Sequence, residues 1–171
     1  EQTLTLGDSI LLQATPPNPN ASRLWESEDT TICPDCIEQV VRPLQTTTYQ
    51  LTLIDEESGC SATDRITLRV DGQVEVYIPN AFSPNEDGAN DVFLIYGNPE
   101  RIERVEVFRV FDRWGAVLFE ANEFLPNDPN FGWNGRYRGQ DLNPAVFVYY
   151  AEVTLINGQR LSLSGDVTLV R

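Results

Sequence analysis

The chain has 171 residues, with 26 acidic against 12 basic side chains and a formal net charge of −14. All the basic residues are arginine and there is no histidine, which excludes Schiff-base lysines, Ser-His-Asp or Cys-His machinery and imidazole metal sites. A pI near 4.2 argues against nucleic acid as a partner, while 41% hydrophobic and 22% charged residues are a globular composition. No run approaches the ~18 apolar residues of a membrane-spanning helix. Glu1-Gln-Thr-Leu lacks the basic and apolar segments of a signal peptide, and the chain reads as a mature or excised piece of a longer protein.

Period-two alternation runs throughout, and no segment keeps a helical repeat for three turns. Ile10, Leu12 and Ala14 predict one strand, Tyr49, Leu51 and Leu53 another, and Ile66, Leu68 and Val70 a third, with a further strand over 38–44. Turns are predicted at Pro16–Asn20, Glu57–Gly59 and Asp71-Gly72. Trp25 is the expected core aromatic of a small sandwich over 1–72. The pattern restarts at Val74, passes a polar loop around Ser83-Pro-Asn-Glu-Asp-Gly, and predicts strands over 92–96, 104–112, 116–120, 145–156, 159–164 and 166–170. In 104–112, Val105, Val107 and Phe111 are expected on one face and Phe108 and Val110 on the other, as in a strand covered on both sides. Hairpins are predicted at Trp114-Gly115 and, as a two-residue turn, at Asn157-Gly158. Gly165-Asp166 should break the last strand. The expected architecture is all-β, two tandem antiparallel Ig-like β-sandwiches over 1–72 and 73–171.

From Tyr77 the sequence resembles a known family. Tyr77-Ile-Pro-Asn-Ala-Phe-Ser-Pro-Asn-Glu-Asp-Gly-Ala-Asn-Asp-Val-Phe93 is similar to the opening signature of the gliding-motility-associated C-terminal domain, the type B sorting domain of the Bacteroidota type IX secretion system. Phe111-Asp-Arg-Trp-Gly-Ala-Val-Leu-Phe-Glu120, Trp133-Asn-Gly135 with the Leu142–Tyr149 strand, and Gly165-Asp-Val-Thr-Leu-Val-Arg171 resemble its later blocks, in order. The chain departs from the pattern at Glu86 and Ala145, where the family usually has glycine. The first domain looks like the Ig-like or PKD-like repeats that precede such signals, on Cys33-Pro-Asp-Cys36, Thr46–Tyr49 and Gly59–Asp64. The resemblance implies a secretion signal for a large adhesin-type surface protein. It implies as partners the outer-membrane translocon and an SprF-type β-barrel, and as location the cell surface. The alternative function is an adhesive or carbohydrate-binding sandwich.

Several residue groups invite chemistry. Ser83, Asn85, Asp87 and Asp91 around Gly88 have the spacing of an oxygen-rich calcium loop. Two carboxylates make a weak cation site, and Asx turns that fix the loop are the favoured reading. Trp114, Trp133, Tyr137, Tyr149 and Tyr150 offer stacking faces for a sugar, although packing of Trp114 over its hairpin and of Trp133 into the sandwich is favoured. Arg113, Trp114 and Arg171 are candidates for partner recognition, with Arg113 also expected to pair with Asp112 or a loop carboxylate. Cys33, Cys36 and Cys60 lack the fourth ligand of a zinc site and predict one structural disulfide in an oxidising setting. Strand directions favour Cys60 bridging Cys33 or Cys36, with a Cys33–Cys36 bridge as the competitor. Carboxylate pairs such as Glu103/Glu106 and Glu120/Glu123 imply no cleft, and no enzyme is expected.

Overall fold

A computed structural model describes residues 1–16, 20–28 and 32–171. The predicted turn at Pro16–Asn20 therefore falls largely outside the described residues. The chain divides into two compact units, Glu1–Gln73 and Val74–Arg171, one residue from the boundary expected after Gly72.

In the first unit, β1 (Gln2–Thr5), β3 (Ser22–Ser27), β5 (Thr47–Ile54) and β6 (Ser61–Asp71) form a sheet in the order β1-β6-β5-β3. Strands β2 (Ile10–Gln13) and β4 (Glu38–Val41) pair into a second, two-stranded layer. Alternation places Leu4, Leu12, Trp25, Val41, Tyr49 and Leu68 between the layers, each buried. Trp25 is the core aromatic the sequence predicted, and its indole N–H reaches the Cys36 carbonyl at 3.0 Å. The sandwich is not wholly antiparallel, because β1 runs parallel to β6. Strands adjacent in sequence pair through hairpins, but β1 and β6 are the first and last of the unit and meet without one.

The second unit is built on a five-stranded sheet of order β11-β10-β14-β15-β8. Its members are β8 (Ala81–Phe82), β10 (Ile102–Phe111), β11 (Val117–Phe124), β14 (Ala145–Leu155) and β15 (Arg160–Leu169). Short pairs of β7 (Val76–Tyr77) with β9 (Tyr96–Gly97), and of β12 (Arg136–Tyr137) with β13 (Gln140–Asp141), complete it. The expected strand over 92–96 is instead an extended segment. Phe93 exchanges two 2.9 Å backbone hydrogen bonds with Trp133, and only Tyr96 enters a named strand. Phe93 and Trp133 fill the inner face of the sheet, with ring centroids 5.3 Å from Phe108 and 5.0 Å from Phe147 respectively.

Three strand-level expectations are corrected. Strand β10 is not covered on both sides: Val105, Phe108 and Val110 are buried together, while Val107, Arg109 and Phe111 on the other face are half-buried. A register shift between Val105 and Val107 inserts one extra residue, Glu106, and reverses the parity of everything after it. Strand β15 is continuous across Gly165-Asp166, pairing without a shift from Arg160 to Leu169. A Cβ on Gly165 would lie 2.8 Å from the Tyr149 hydroxyl, so this glycine makes room for a cross-strand ring and no kink. The Asn157-Gly158 connection has three residues, not two, because Leu155 and Gln159 close it with a 2.8 Å hydrogen bond.

Candidate functional site

The register fixes which loops share an end of the sheet. Phe111 opposes Val148, Ala145 opposes Leu169, and Leu169 opposes Phe82. The Asp112–Ala116 turn, the Ser83–Asp91 loop, the β12–β13 hairpin and Arg171 therefore all extend from that one end. An open cleft of about 490 Å³ lies there, lined among others by Asn85, Glu86, Asp91, Arg136, Asp141 and Arg171.

In the Ser83–Asp91 loop the oxygens turn inward to the backbone. Asp91 accepts the amide N–H groups of Asn85, Glu86 and Gly88 at 2.9, 2.7 and 2.8 Å. Asp87 accepts the Ala89 N–H at 2.8 Å and the Asn85 side-chain amide at 2.9 Å, which together hold its carboxyl below the usual range. N–H dipoles aimed at Asp91 are the surroundings of a bound anion and oppose a cation. These bonds are the Asx turns favoured from the sequence over a calcium loop of Ser83, Asn85, Asp87 and Asp91, and they set the loop. Asp91→Ala is expected to lower the melting temperature of this unit by roughly 5 °C, and millimolar calcium to leave the parent curve unmoved; calorimetry with and without a chelator checks both. Glu86 has a φ of 65°, a left-handed conformation that costs a side chain about 1–2 kcal/mol and suits glycine, the residue usual there in the resembling family.

Two residues that the sequence reading passed over complete the cleft. Asp141 Oδ1 takes Arg136 Nε at 2.7 Å and Arg171 Nη2 at 3.2 Å, and Arg171 Nε donates to the Leu142 carbonyl at 3.0 Å. The two guanidiniums, Arg136 first, hold the Asp141 carboxyl below its usual range. The readable signal was Tyr137-Arg-Gly-Gln140, a two-residue hairpin turn with both φ angles positive, which sets Arg136 opposite Asp141. Arg171, singled out for recognition, is thus engaged within its own unit.

The Asp112–Ala116 turn is tightly fixed. Asp112 Oδ1 accepts the N–H groups of Trp114 and Ala116, each at 2.9 Å, its backbone N–H reaches the Ala116 carbonyl at 3.0 Å, and Gly115 takes φ 83°. Trp114 is 86% exposed, so it does not pack over the hairpin as expected. The turn spends Asp112 on backbone N–H groups, and the expected Asp112–Arg113 pair is not formed; among the described residues Arg113 makes no ion pair. Trp133 is 1% exposed and hydrogen-bonds the Arg136 carbonyl at 3.0 Å. Tyr149 is half-buried over Gly165, Tyr150 binds Glu152, and Tyr137 stacks under Arg138, so the five rings form no common platform.

In the first unit Cys33 and Cys36 form the disulfide and Cys60 is an exposed thiol. This overturns the preferred pairing with Cys60. The Cys33–Cys36 loop lies against Trp25 in the middle of β3, whose backbone N–H binds the Pro34 carbonyl at 2.7 Å. Cys60 sits in the hairpin beyond Ile54, which opposes Ser22, three residues or about 10 Å along the strand. Cys33, Asp35 and Cys36 also lie within metal-ligand distance of one another, but the disulfide removes both thiolates. Intact-mass measurement after alkylation should find one label, on Cys60, and reduction should cost about 2 kcal/mol for so short a loop.

The family model of the CHU_C type IX secretion signal domain matches residues 76–169, more than half of the chain. The chain belongs to this family. It carries a type IX secretion signal, and the matched residues include the loops gathered at one end of the sheet. No curated protein matches the chain. Similar solved structures include SGBP-B of the Bacteroides ovatus mixed-linkage glucan utilization locus, in complex with a mixed-linkage heptasaccharide (13% identity, 99% of this chain and 43% of that one, TM-score 0.35). Dimeric latent PorU of Porphyromonas gingivalis is 12% identical over 99% of this chain and 19% of its own, with TM-score 0.35. Cadherin domains 3–6 of protocadherin gamma B2 are 13% identical over 98% and 44%, also with TM-score 0.35. The chain thus spans less than half the length of each. Among the described residues no helix is long and apolar enough to cross a membrane.

Proposed function

We propose that residues 74–171 are a type B sorting signal that delivers a large adhesin-type protein of a gliding member of the Bacteroidota to the outer-membrane exterior. Its partners are the translocon and an SprF-type β-barrel. The first unit is a spacer repeat, and neither unit is catalytic. The family match over residues 76–169 carries this reading. The gathering of its signature loops at one sheet end supports a folded address over a linear one.

The test fuses residues 74–171 to a periplasmically exported reporter in a gliding bacterium. Surface display that depends on the SprF-type barrel is the expected result. A reporter retained in the periplasm while the barrel is present would sink the reading. A reporter carrying residues 1–171 should be displayed no better than this fusion, since each unit has its own core. A carbohydrate-binding role is favoured by one observation, the exposed Trp114 ring, and is weakened by the burial of Trp133.

A further inference from the structure

Resting on the sorting reading, we infer that the Asp112–Ala116 turn and the apolar strip beside it form the docking surface for the outer-membrane β-barrel, and that the barrel's contact is a loop bearing a carboxylate next to an apolar pocket. Three observations carry the inference.

The first is a fixed exposed anchor. The Trp114 indole is 86% exposed at one end of a run of exposed apolar side chains, and four hydrogen bonds through Asp112 hold its turn rigid. A side chain presented on a rigid turn loses little further freedom on binding, and tryptophan beside arginine is the composition of interface hot spots.

The second is continuity. Val117 and Val148 both oppose Phe111, so the three lie side by side across β11, β10 and β14 on the outer sheet face. Val117 and Val148 are 43% and 48% exposed, and Val146, two residues along from Val148, is 56% exposed. Further down the same face Arg109 pairs with Glu120 at 2.6 Å and Tyr150 with Glu152, so the strip ends in a polar boundary.

The third is charge. The unit holds 14 acids and 8 arginines, and Arg104, Arg109, Arg136 and Arg171 each have a carboxylate partner. Among the described residues Arg113, like Arg138 and Arg160, makes no ion pair, and of these it alone borders the strip, its neighbour Asp112 being occupied by amide N–H groups. A guanidinium free at the rim of an apolar strip calls for a carboxylate from the other side. The net negative unit is repelled by an anionic lipid surface, which leaves a protein loop as the occupant.

The test uses the full chain carrying Trp114→Ala, Arg113→Glu or, as a control at the other sheet end, Leu125→Ala, where Leu125 is 53% exposed. Each is titrated with the purified SprF-type barrel in detergent at low and high salt, and each is melted and fused to the surface reporter. All three should melt with the parent. Trp114→Ala and Arg113→Glu should bind at least tenfold more weakly and deliver less reporter, with Leu125→Ala unchanged. Parent binding should weaken with salt, and Arg113→Glu should lose that dependence. The inference is overturned if both variants bind within twofold of the parent, or if the parent is displayed yet does not bind the barrel. It is equally overturned if the variants lose only an oligosaccharide ligand or a self-association seen by ultracentrifugation. Failure of the parent itself to reach the surface would refute the sorting reading, and this inference with it.

Discussion

Removing Asp166–Arg171 unfolds the second unit. Val167 and Leu169 are both 0% exposed, and among the described residues the segment carries the only pairing of β8, through Thr168 and Leu169. Loss of two such core side chains costs several kcal/mol, each comparable to the ~2–5 kcal/mol of a large-to-small core truncation. Stripping the ladder hydrogen bonds adds to this, against a total stability of ~5–15 kcal/mol. Circular dichroism should show no cooperative melt for residues 74–165, and a reporter fused to them should stay inside. Arg171→Ala, by contrast, loses only the exposed contacts to Asp141 and Leu142 and should melt within a few degrees of the parent. A truncated unit that melted like the parent but was not displayed would make the terminal strand a read-out segment and not a structural one.

Trp133→Ala is expected to be the most damaging single substitution. The ring touches Phe82 at 5.3 Å and Phe147 at 5.0 Å between centroids, and its N–H satisfies the Arg136 carbonyl. Truncation leaves a cavity at the centre of the aromatic cluster and costs ~3–5 kcal/mol. It also frees the turn that aims Arg136 at Asp141. Denaturant unfolding should show a midpoint lowered in proportion, with little change in slope. Trp133→Phe should recover part of the loss through packing, but not the hydrogen bond. Full stability in Trp133→Ala would mean that the aromatic cluster does not hold the two layers together.

Strand positions and faces were legible where alternation was uninterrupted, but the order of strands in each sheet was not. Tyr49, Leu68, Val167 and Leu169 all lie inside, as their period-two spacing predicts. The parity of β10 was not legible, because a bulge at Glu106 leaves no mark in composition, and Val105, Val107 and Phe111 look equivalent on paper. Gly165 was misread for a related reason. A strand glycine signals either a break or a close approach, and only the ring of Tyr149 opposite decides between them. At the site, the motifs located the loops, and the turn chemistry of Asp87 and Asp91 followed from their Asx character, whereas Asp112 was expected to pair with Arg113 and instead accepts the N–H groups of its own turn. The triad of Arg136, Asp141 and Arg171 was hidden, since it joins residues 30 apart through tertiary placement. The fate of Trp114 depended on what covers it, which no local spacing encodes.

The order of strands in the second unit also governs when it can form. Strand β8 comes from residues 81–82, yet among the described residues its sole strand neighbour is β15, which ends at residue 169. Until β15 arrives, β14 is an open edge, and Phe82 and Phe93 have an incomplete wall to pack against. Pairing over such long sequence separations closes late and slowly. A chain interrupted anywhere before β15 therefore leaves the second unit unfolded and protease-sensitive, even where the first unit has formed around its own core. Placing β15 inside the sheet makes the folded unit a certificate that synthesis ran through residue 169, so only chains extending that far can present the Trp114 end to a receptor.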